Sequence, residues 1–242
     1  LATRKELELI HTSEYVRSTF EDKGAFLEVG PWSQPLLDSI LASTGGMRDA
    51  VKEALKNGRS GSLSSGLHHA RKNSGNGFCQ FNGLALAALE ALKKVKTVGI
   101  LDLDAHAGGG TFDILGDHKQ VYLADVTVNA FDSWEPSDPA RHFYVAVDSP
   151  KDYLRHVEAA LHSLERVDFL IYNAGMDTYE KAGGMKGITK DIIRKREKLV
   201  VHWARARKIP HIFALAGGYK WGGLTLEQVA ELHLETVKVF AA

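Results

Sequence analysis

The stretch Asp102-Leu103-Asp104-Ala105-His106 directly follows the apolar run Val98-Gly99-Ile100-Leu101. The run is typical of a buried strand, and the acidic and imidazole side chains come where that strand ends. Because side chains alternate faces along a strand, the two aspartates and the histidine, spaced by two, should project to one side. Carboxylate and imidazole groups arranged in this way can bind a divalent cation. Aspartates also end strands as ordinary turn residues, so this stretch alone leaves both interpretations open.

Three further segments also place histidine, aspartate or tyrosine side chains beside glycines. A Gly-flanked histidine pair occurs in Gly66-Leu67-His68-His69-Ala70, Asn173-Ala174-Gly175-Met176-Asp177 follows a second apolar strand, and Ala216-Gly217-Gly218-Tyr219 follows a third. The carboxyl ends of parallel strands meet at one edge of a sheet, where ligands bind. Together the segments predict a site that contains acidic, imidazole and phenol groups.

Apolar strands alternate with amphipathic helices along the chain. This alternation predicts an α/β fold with a mostly parallel sheet and helices on both faces. We expect strands at 97–103, 120–125, 167–172 and 211–215, a further strand that ends at 146–148, and helices at 81–96, 153–164, 189–207 and 224–241.

Composition limits the classes of function. With 242 residues, 44% of them hydrophobic, the chain can bury a full core, and we expect one domain over 1–242. The chain begins with Leu1, so whether its N-terminal end is complete stays open. Thirty basic and thirty acidic residues balance, which argues against nucleic acid or an acidic membrane as the main partner. The single cysteine, Cys79, and the lack of a membrane span or signal peptide favour the cytoplasm.

Five ordered motifs resemble those of the zinc-dependent histone deacetylase family. They are Gly66 to Ala70, Gly77-Phe78-Cys79-Gln80-Phe81-Asn82, Leu101 to His106, Asn173 to Asp177, and Gly217-Gly218-Tyr219. The segment Leu9 to Val16 is also similar to a stretch near the N-terminus of that family. The family includes lysine deacetylases, acetoin-utilisation-type proteins and acetylpolyamine amidohydrolases, and the resemblance implies their arginase-like α/β fold.

The resemblance also implies a ligand set and catalytic roles. It makes Asp104, His106 and Asp177 the ligands of Zn²⁺, in a site that Fe²⁺ or Co²⁺ could also occupy, with a structural K⁺ nearby. His69 would be the general base, and His68 its neighbour, oriented by Asp102. Tyr219 would donate a hydrogen bond to the carbonyl oxygen of the substrate. The remaining substrate-binding positions implied by the motifs are Gly77, Phe78, Gly217 and Gly218, although Phe78 could equally be an ordinary core residue.

The reaction implied is removal of an acyl group, which we expect to be acetyl, from an amine such as acetyl-lysine or an acetylpolyamine. The expected partner is therefore a small acylated amine or an acetyl-lysine substrate, and the oligomeric state is open. The chain departs from the family pattern at Gly109, where the family has an Asp or Asn beside the base. This departure predicts that His69 lacks its usual carboxylate partner and is supported by another group or by water.

Three alternatives follow from the sequence. A non-catalytic protein that binds zinc and an acyl ligand would result if Gly109 leaves His69 unsupported. A ureohydrolase shares the fold and the Asp104-Ala105-His106 stretch, but its two-metal site needs an aspartate where this chain has Gly108. An interaction protein could use the basic segment Lys190 to Arg207, although that pattern is more typical of a solvated helix face.

Overall fold

The computed structural model describes residues 1–242, and its centre is one sheet of six parallel strands. A separate two-stranded antiparallel hairpin precedes it, formed by β1 (Phe26–Leu27) and β2 (Gly30–Pro31). The strands of the sheet are β3 (Arg59–Ser62), β4 (Val98–Asp102), β5 (Val121–Thr127), β6 (His142–Ala146), β7 (Phe169–Gly175) and β8 (His211–Ala216). Their spatial order is β3-β8-β7-β4-β5-β6. The predicted α/β class, with its parallel sheet, is confirmed.

Helices cover both faces of the sheet. They are α1 (Arg4–Leu7), α2 (Ser13–Glu21), α3 (Gln34–Asn57), α4 (Gly83–Ala91), α5 (Gly109–Leu115), α6 (Tyr153–Ser163), α7 (Lys190–Ala206) and α8 (Leu226–Ala241). Core residues from α1 to α5 form one hydrophobic cluster on the sheet, and core residues from α6 to α8 form a second. No helix combines the length and the apolar character needed to span a bilayer.

The ends of the helices follow from local chemistry. Ser33 caps α3 by accepting a hydrogen bond from the amide of Leu36, and Gly58 ends that helix in the left-handed conformation, with φ of 83°. Thr189 caps α7 through the amide of Ile192. The capping groups satisfy backbone donors and acceptors that the helix itself leaves without partners.

Two strands differ from the sequence expectation. β6 ends at Ala146, where the sequence predicts the end of a strand, but its start at the polar residue His142 has no signal in the sequence. The edge strand β3 was not predicted at all, since its sequence Arg-Ser-Gly-Ser has no apolar or β-branched residue. It pairs with β8 in parallel register, and the ring of Phe213 packs against Gly61, where a Cβ atom would lie 2.1 Å from that ring.

The strand order brings the predicted site segments together. The four neighbouring strands β3, β8, β7 and β4 are parallel, so their carboxyl ends lie side by side. The histidine pair, Tyr219, Asp177 and Asp104 all follow these ends in the chain. Thus the sheet gathers, at one edge, residues that are up to about 150 positions apart in the sequence.

Helix α7 packs against the sheet through a buried ion pair. Arg196 and Glu197 are both fully buried, with 2.6 Å between Arg196 Nη2 and Glu197 Oε1. Arg196 Nη1 also donates hydrogen bonds to the carbonyl oxygens of Gly175 (2.7 Å) and Leu103 (3.2 Å). These carbonyls lie just before Asp177 and Asp104, so the guanidinium ties together the two chain segments that carry those carboxylates. One face of α7 is therefore packed on the sheet, while Arg194, Lys195 and Lys198 remain exposed, as the interpretation of a solvated helix face expects.

We predict that Arg196→Met lowers the free energy of unfolding by about 3–5 kcal/mol, because it leaves the buried carboxylate of Glu197 without its cation. The double variant Arg196→Met with Glu197→Gln should recover part of that loss. Equilibrium urea denaturation measures both.

The matched control is Arg194→Met, on the same helix as Arg196. It removes an exposed arginine that pairs with Glu235 of α8, and it should lower the free energy of unfolding by less than about 1 kcal/mol. A loss at Arg196 no larger than the loss at Arg194 would refute the structural role of the buried pair.

Candidate metal centre

Three predicted ligands converge beyond the ends of β4 and β7. Single ligand atoms of Asp104, His106 and Asp177 all lie within 4.8 Å of one another. His106 Nδ1 is 3.2 Å from Asp104 Oδ1 and 3.2 Å from Asp177 Oδ2. Both aspartates are buried, and apart from the ring of His106, Asp177 Oδ2 has no hydrogen-bond partner. A buried carboxylate oxygen left in this way beside two other donor groups fits a divalent ion with two oxygen ligands and one nitrogen ligand.

The loop from 102 to 106 is a series of turns rather than an extension of the strand. The amide of Asp104 donates to Asp102 Oδ1 (3.1 Å), and the amide of His106 donates to Asp104 Oδ1 (3.0 Å). The expectation that Asp102, Asp104 and His106 project to one side of an extended strand is wrong, because β4 ends at Asp102 and the chain turns beyond it. Asp104 Oδ1 accepts a hydrogen bond of the turn, and the same residue belongs to the group of three predicted ligands.

The ligand group carries excess negative charge. Although burial raises the pKa of Asp104, His68 and His106 outweigh it and hold that pKa below its usual range. Burial and the neighbouring Asp104 raise the pKa of Asp177 to about 6. Contacts with Asp104 and Asp177 raise the pKa of His106 to about 9. The two carboxylates therefore attract positive charge at this position, which a bound cation would also supply.

Asp102 orients His68. Asp102 Oδ2 lies 2.7 Å from His68 Nδ1, while Asp102 Oδ1 accepts a hydrogen bond from the side-chain amide of Asn173 (2.9 Å). Burial lowers the pKa of His68, but the charges of Asp102 and Asp104 more than compensate and raise it to about 10. His68 is thus held as a cation beside the ligand group.

The histidine pair faces a single cavity. The left-handed conformation of Leu67, with φ of 58°, turns the chain so that the rings of His68 and His69 lie 3.9 Å apart. Asn82, the cap of α4, fixes the loop, because its side-chain amide donates to the carbonyls of His68 (3.3 Å) and Ala70 (3.1 Å). Both rings line a cavity of about 380 Å³ that Asp104 and Tyr219 also line.

As the sequence predicts, His69 lacks a partner at position 109, and another group takes that place. His69 Nδ1 lies 2.8 Å from Oδ2 of Asp132, in the connection between β5 and β6. A Cβ atom at Gly109 would lie 2.4 Å from the carbonyl oxygen of Asp132 and 2.6 Å from its Oδ1. The carboxylate therefore comes from another part of the chain and occupies the space beside Gly109. No sequence pattern marked Asp132, which is 63 residues from His69.

His69 differs from its neighbour in protonation. Burial and the positive charge of His68 lower the pKa of His69, and Asp132 opposes them only in part. Near neutral pH the ring of His69 is therefore uncharged. With Nδ1–H donated to Asp132, its Nε2 atom is free to accept a proton.

The cavity has an aromatic entrance. Phe78 is 61% exposed and lines the cavity, so its interpretation as a core residue is wrong. Phe131 packs edge-on against the rings of His69 and His106. Tyr219 stacks on Trp221 at 4.3 Å, and burial raises the pKa of Tyr219, so that its hydroxyl remains a hydrogen-bond donor.

The three glycines predicted to bind substrate lie so close to neighbouring side chains that no Cβ atom would fit. At Gly77, with φ of 53°, a Cβ atom would lie 2.5 Å from His69 Cδ2, and at Gly217, with φ of 57°, it would lie 2.2 Å from Asp177 Oδ1. A Cβ atom at Gly218 would lie 2.8 Å from Nε2 of His233, which also lines the cavity. The missing side chains at these three positions leave room for His69, Asp177 and His233.

Comparisons with known proteins agree with this geometry. A family model described as the histone deacetylase domain matches residues 1–237. Histone deacetylase 2 of Arabidopsis thaliana is 29% identical over 90% of this chain, which spans 62% of that protein's length. An uncharacterised protein of Picosynechococcus is 30% identical, and the match covers 90% of this chain and 77% of the relative.

A solved structure has the same fold. The acetylpolyamine aminohydrolase of Burkholderia pseudomallei superposes with a TM-score of 0.80 over 99% of this chain and 83% of its own, at 17% identity. This match confirms the expected arginase-like and deacetylase-like fold. Because the family model covers nearly the whole sequence, the chain belongs to the histone deacetylase family.

Proposed function

We propose that this protein is a metal-dependent amidohydrolase that removes an acetyl group from an amine. The observation that carries the proposal is one cavity lined by Asp104 of the three-ligand group, by an uncharged histidine and by a tyrosine hydroxyl that has no partner. Each group matches one requirement of amide hydrolysis: polarisation of the carbonyl, removal of a proton from water, and stabilisation of the oxyanion.

Zn²⁺ is the ion we propose for Asp104, His106 and Asp177. Two carboxylates and one imidazole form an open site that Fe²⁺ or Co²⁺ could also occupy, and the buried thiol of Cys79 is not required. A bound ion would supply Lewis-acid polarisation of the acyl carbonyl and of water. The structural K⁺ implied by the family resemblance stays a prediction.

His69 is the proposed general base. Its Nε2 atom accepts the proton of the attacking water, while its Nδ1–H remains donated to Asp132. The cationic ring of His68, 3.9 Å away, makes His69 a weaker base but adds positive charge beside the reacting carbonyl. His68 held by Asp102 is therefore proposed as an electrostatic stabiliser, and the protonated His69 assists departure of the amine.

Tyr219 is the proposed oxyanion donor. It follows β8 and lines the same cavity as both histidines, and its hydroxyl forms no hydrogen bond within the protein. A donor without a partner in the resting protein can bind the oxygen on which negative charge develops. Gly217 and Gly218, just before it, and Gly77 and Phe78, on the opposite wall, are proposed to bind the acyl side of the substrate.

A small acylated amine is the proposed substrate, either acetyl-lysine or an acetylpolyamine. The cavity of about 380 Å³ has the size of a small-molecule site, and its aromatic entrance would pack against an alkyl chain. The balanced charge of the chain supports neither nucleic acid nor a membrane as partner, and we propose the cytoplasm as its location.

The alternatives from the sequence are weaker beside this geometry. The non-catalytic interpretation depended on an unsupported His69, and Asp132 removes that basis. The two-metal interpretation needs an aspartate at position 108, but Gly108 lies against Asp102, where a Cβ atom would be 2.8 Å from Oδ2.

We predict that the protein binds close to one zinc ion per chain and that Asp177→Asn lowers its affinity for zinc by at least about 100-fold, because the variant loses a charged ligand in a buried site. Metal analysis after dialysis against a buffered zinc concentration measures both quantities. Asp138→Asn, an exposed carboxylate in the β5–β6 connection, is the control that should retain full zinc content. A ratio near two would favour the two-metal interpretation instead.

We predict that the zinc-loaded protein releases free amine from at least one member of a panel of acetyl-lysine peptide, acetylated polyamines and small N-acetyl amines. Tyr219→Phe should lower kcat by about 10²–10³-fold, since it removes one donor to the oxyanion. Tyr122→Phe, a half-buried tyrosine of β5 remote from the cavity, should retain parental activity. Zinc binding without turnover on any member would sink the amidohydrolase proposal and support a binding protein.

A further inference from the structure

We propose that Asp132, from the connection between β5 and β6, is the positioning residue that fixes the orientation and tautomer of His69, in place of a side chain at position 109. This inference deepens the proposed function, because it concerns the base of the same site. It rests on one direct contact, one steric exclusion and one supporting ion pair.

The direct contact is short and buried. Asp132 Oδ2 lies 2.8 Å from His69 Nδ1, and the Asp132 side chain is 1% exposed. The same oxygen accepts a hydrogen bond from the amide of Gly110 at 3.2 Å. A carboxylate has only acceptor atoms, so the ring nitrogen that faces it must carry a proton. The contact therefore selects the tautomer in which Nε2 is the free acceptor.

The steric exclusion shows that positions 109 and 132 compete for one space. Any side chain at Gly109 would begin within 2.4–2.8 Å of the carbonyl and carboxylate atoms of Asp132. A carboxylate from α5 and one from the β5–β6 connection cannot both occupy this space. The absence of a side chain at Gly109 is thus the condition for Asp132 to reach His69.

The ion pair and the surrounding loop hold Asp132 in place. Arg71 Nη2 donates to the second carboxylate oxygen, Oδ1, so each oxygen of Asp132 has its own partner. Asp132 adopts the left-handed conformation, with φ of 57°, which aspartate tolerates better than most residues. The preceding residue, Phe131, accepts a hydrogen bond from the amide of Ala107 (3.1 Å) and packs on the His69 ring. Therefore the connection is fixed to the loop that carries the metal ligands.

The test is made with the zinc-loaded parent, Asp132→Asn and Asp132→Gly. Asn and Gly both tolerate the left-handed conformation, so neither strains the loop. Two-bond ¹H–¹⁵N correlation spectra of the histidine rings report the tautomer of His69, which is assigned by comparison with His69→Ala. We expect Nδ1–H in the parent, and a shift toward the Nε2–H form in Asp132→Gly.

Turnover provides the second readout on the best substrate of the panel. We expect kcat to fall on the order of 10²-fold in Asp132→Gly, with KM changed less than about threefold, because a misoriented base affects the reaction more than binding. Asp138→Asn, the same type of carboxylate in the same connection, should leave the tautomer and kcat unchanged.

An unchanged tautomer of His69 in both Asp132 variants would overturn the proposal. So would loss of zinc or of the folded state in both variants, because Asp132 would then support the loop alone. If the parent hydrolyses no amide, the proposed function fails, yet the tautomer of His69 still decides the role of Asp132.

Discussion

The buried negative charge at the carboxyl edge of the sheet is the constraint on which the rest of the site depends. Asp102, Asp104 and Asp177 are each no more than 4% exposed, and burying a carboxylate is costly unless charge or hydrogen bonds compensate for it. His68 compensates from the cavity side, and the backbone amides of the 102–106 turns compensate from within the loop. On the opposite side, Arg196 holds the carbonyl oxygens that precede two of these aspartates. The negative charge that these groups leave uncompensated lies in the ligand group, where Asp177 Oδ2 has no hydrogen-bond partner apart from the ring of His106.

The same charge explains why two adjacent histidines have opposite protonation preferences. His68 lies beside Asp102 and Asp104, and their attraction overcomes the penalty of burial. His69 has one carboxylate partner and lies next to the His68 cation, so burial and repulsion prevail there. The difference arises from placement alone, since the two residues are neighbours in one loop. The opposite charges of the proposed stabiliser and the proposed base therefore follow from which ring faces the ligand group and which faces the β5–β6 connection.

The part of the site that could be predicted from the sequence is the part that follows strand ends. Apolar runs mark β4, β7 and β8, and parallel strands must end at a common edge, so the convergence of Asp104, Asp177 and Tyr219 follows from the sequence alone. Residues outside such runs cannot be found in this way. Arg196 is one of several basic residues in α7, and only its position over the sheet distinguishes it from its exposed neighbours. Strand β3 escapes sequence prediction because an edge strand needs backbone pairing rather than apolar side chains.

The contact between Asp132 and His69 shows why a missing motif residue is weak evidence for a missing function. In the sequence, Gly109 indicates the loss of a carboxylate, since a motif records only neighbours along the chain. What His69 requires is an acceptor 2.8 Å from Nδ1, and any segment that reaches that point can supply it. The β5–β6 connection can reach it because the carboxyl end of β5 adjoins that of β4, which carries the ligand loop. A glycine at position 109 then leaves the space that the new carboxylate needs, so the departure from the motif and its replacement are parts of one arrangement.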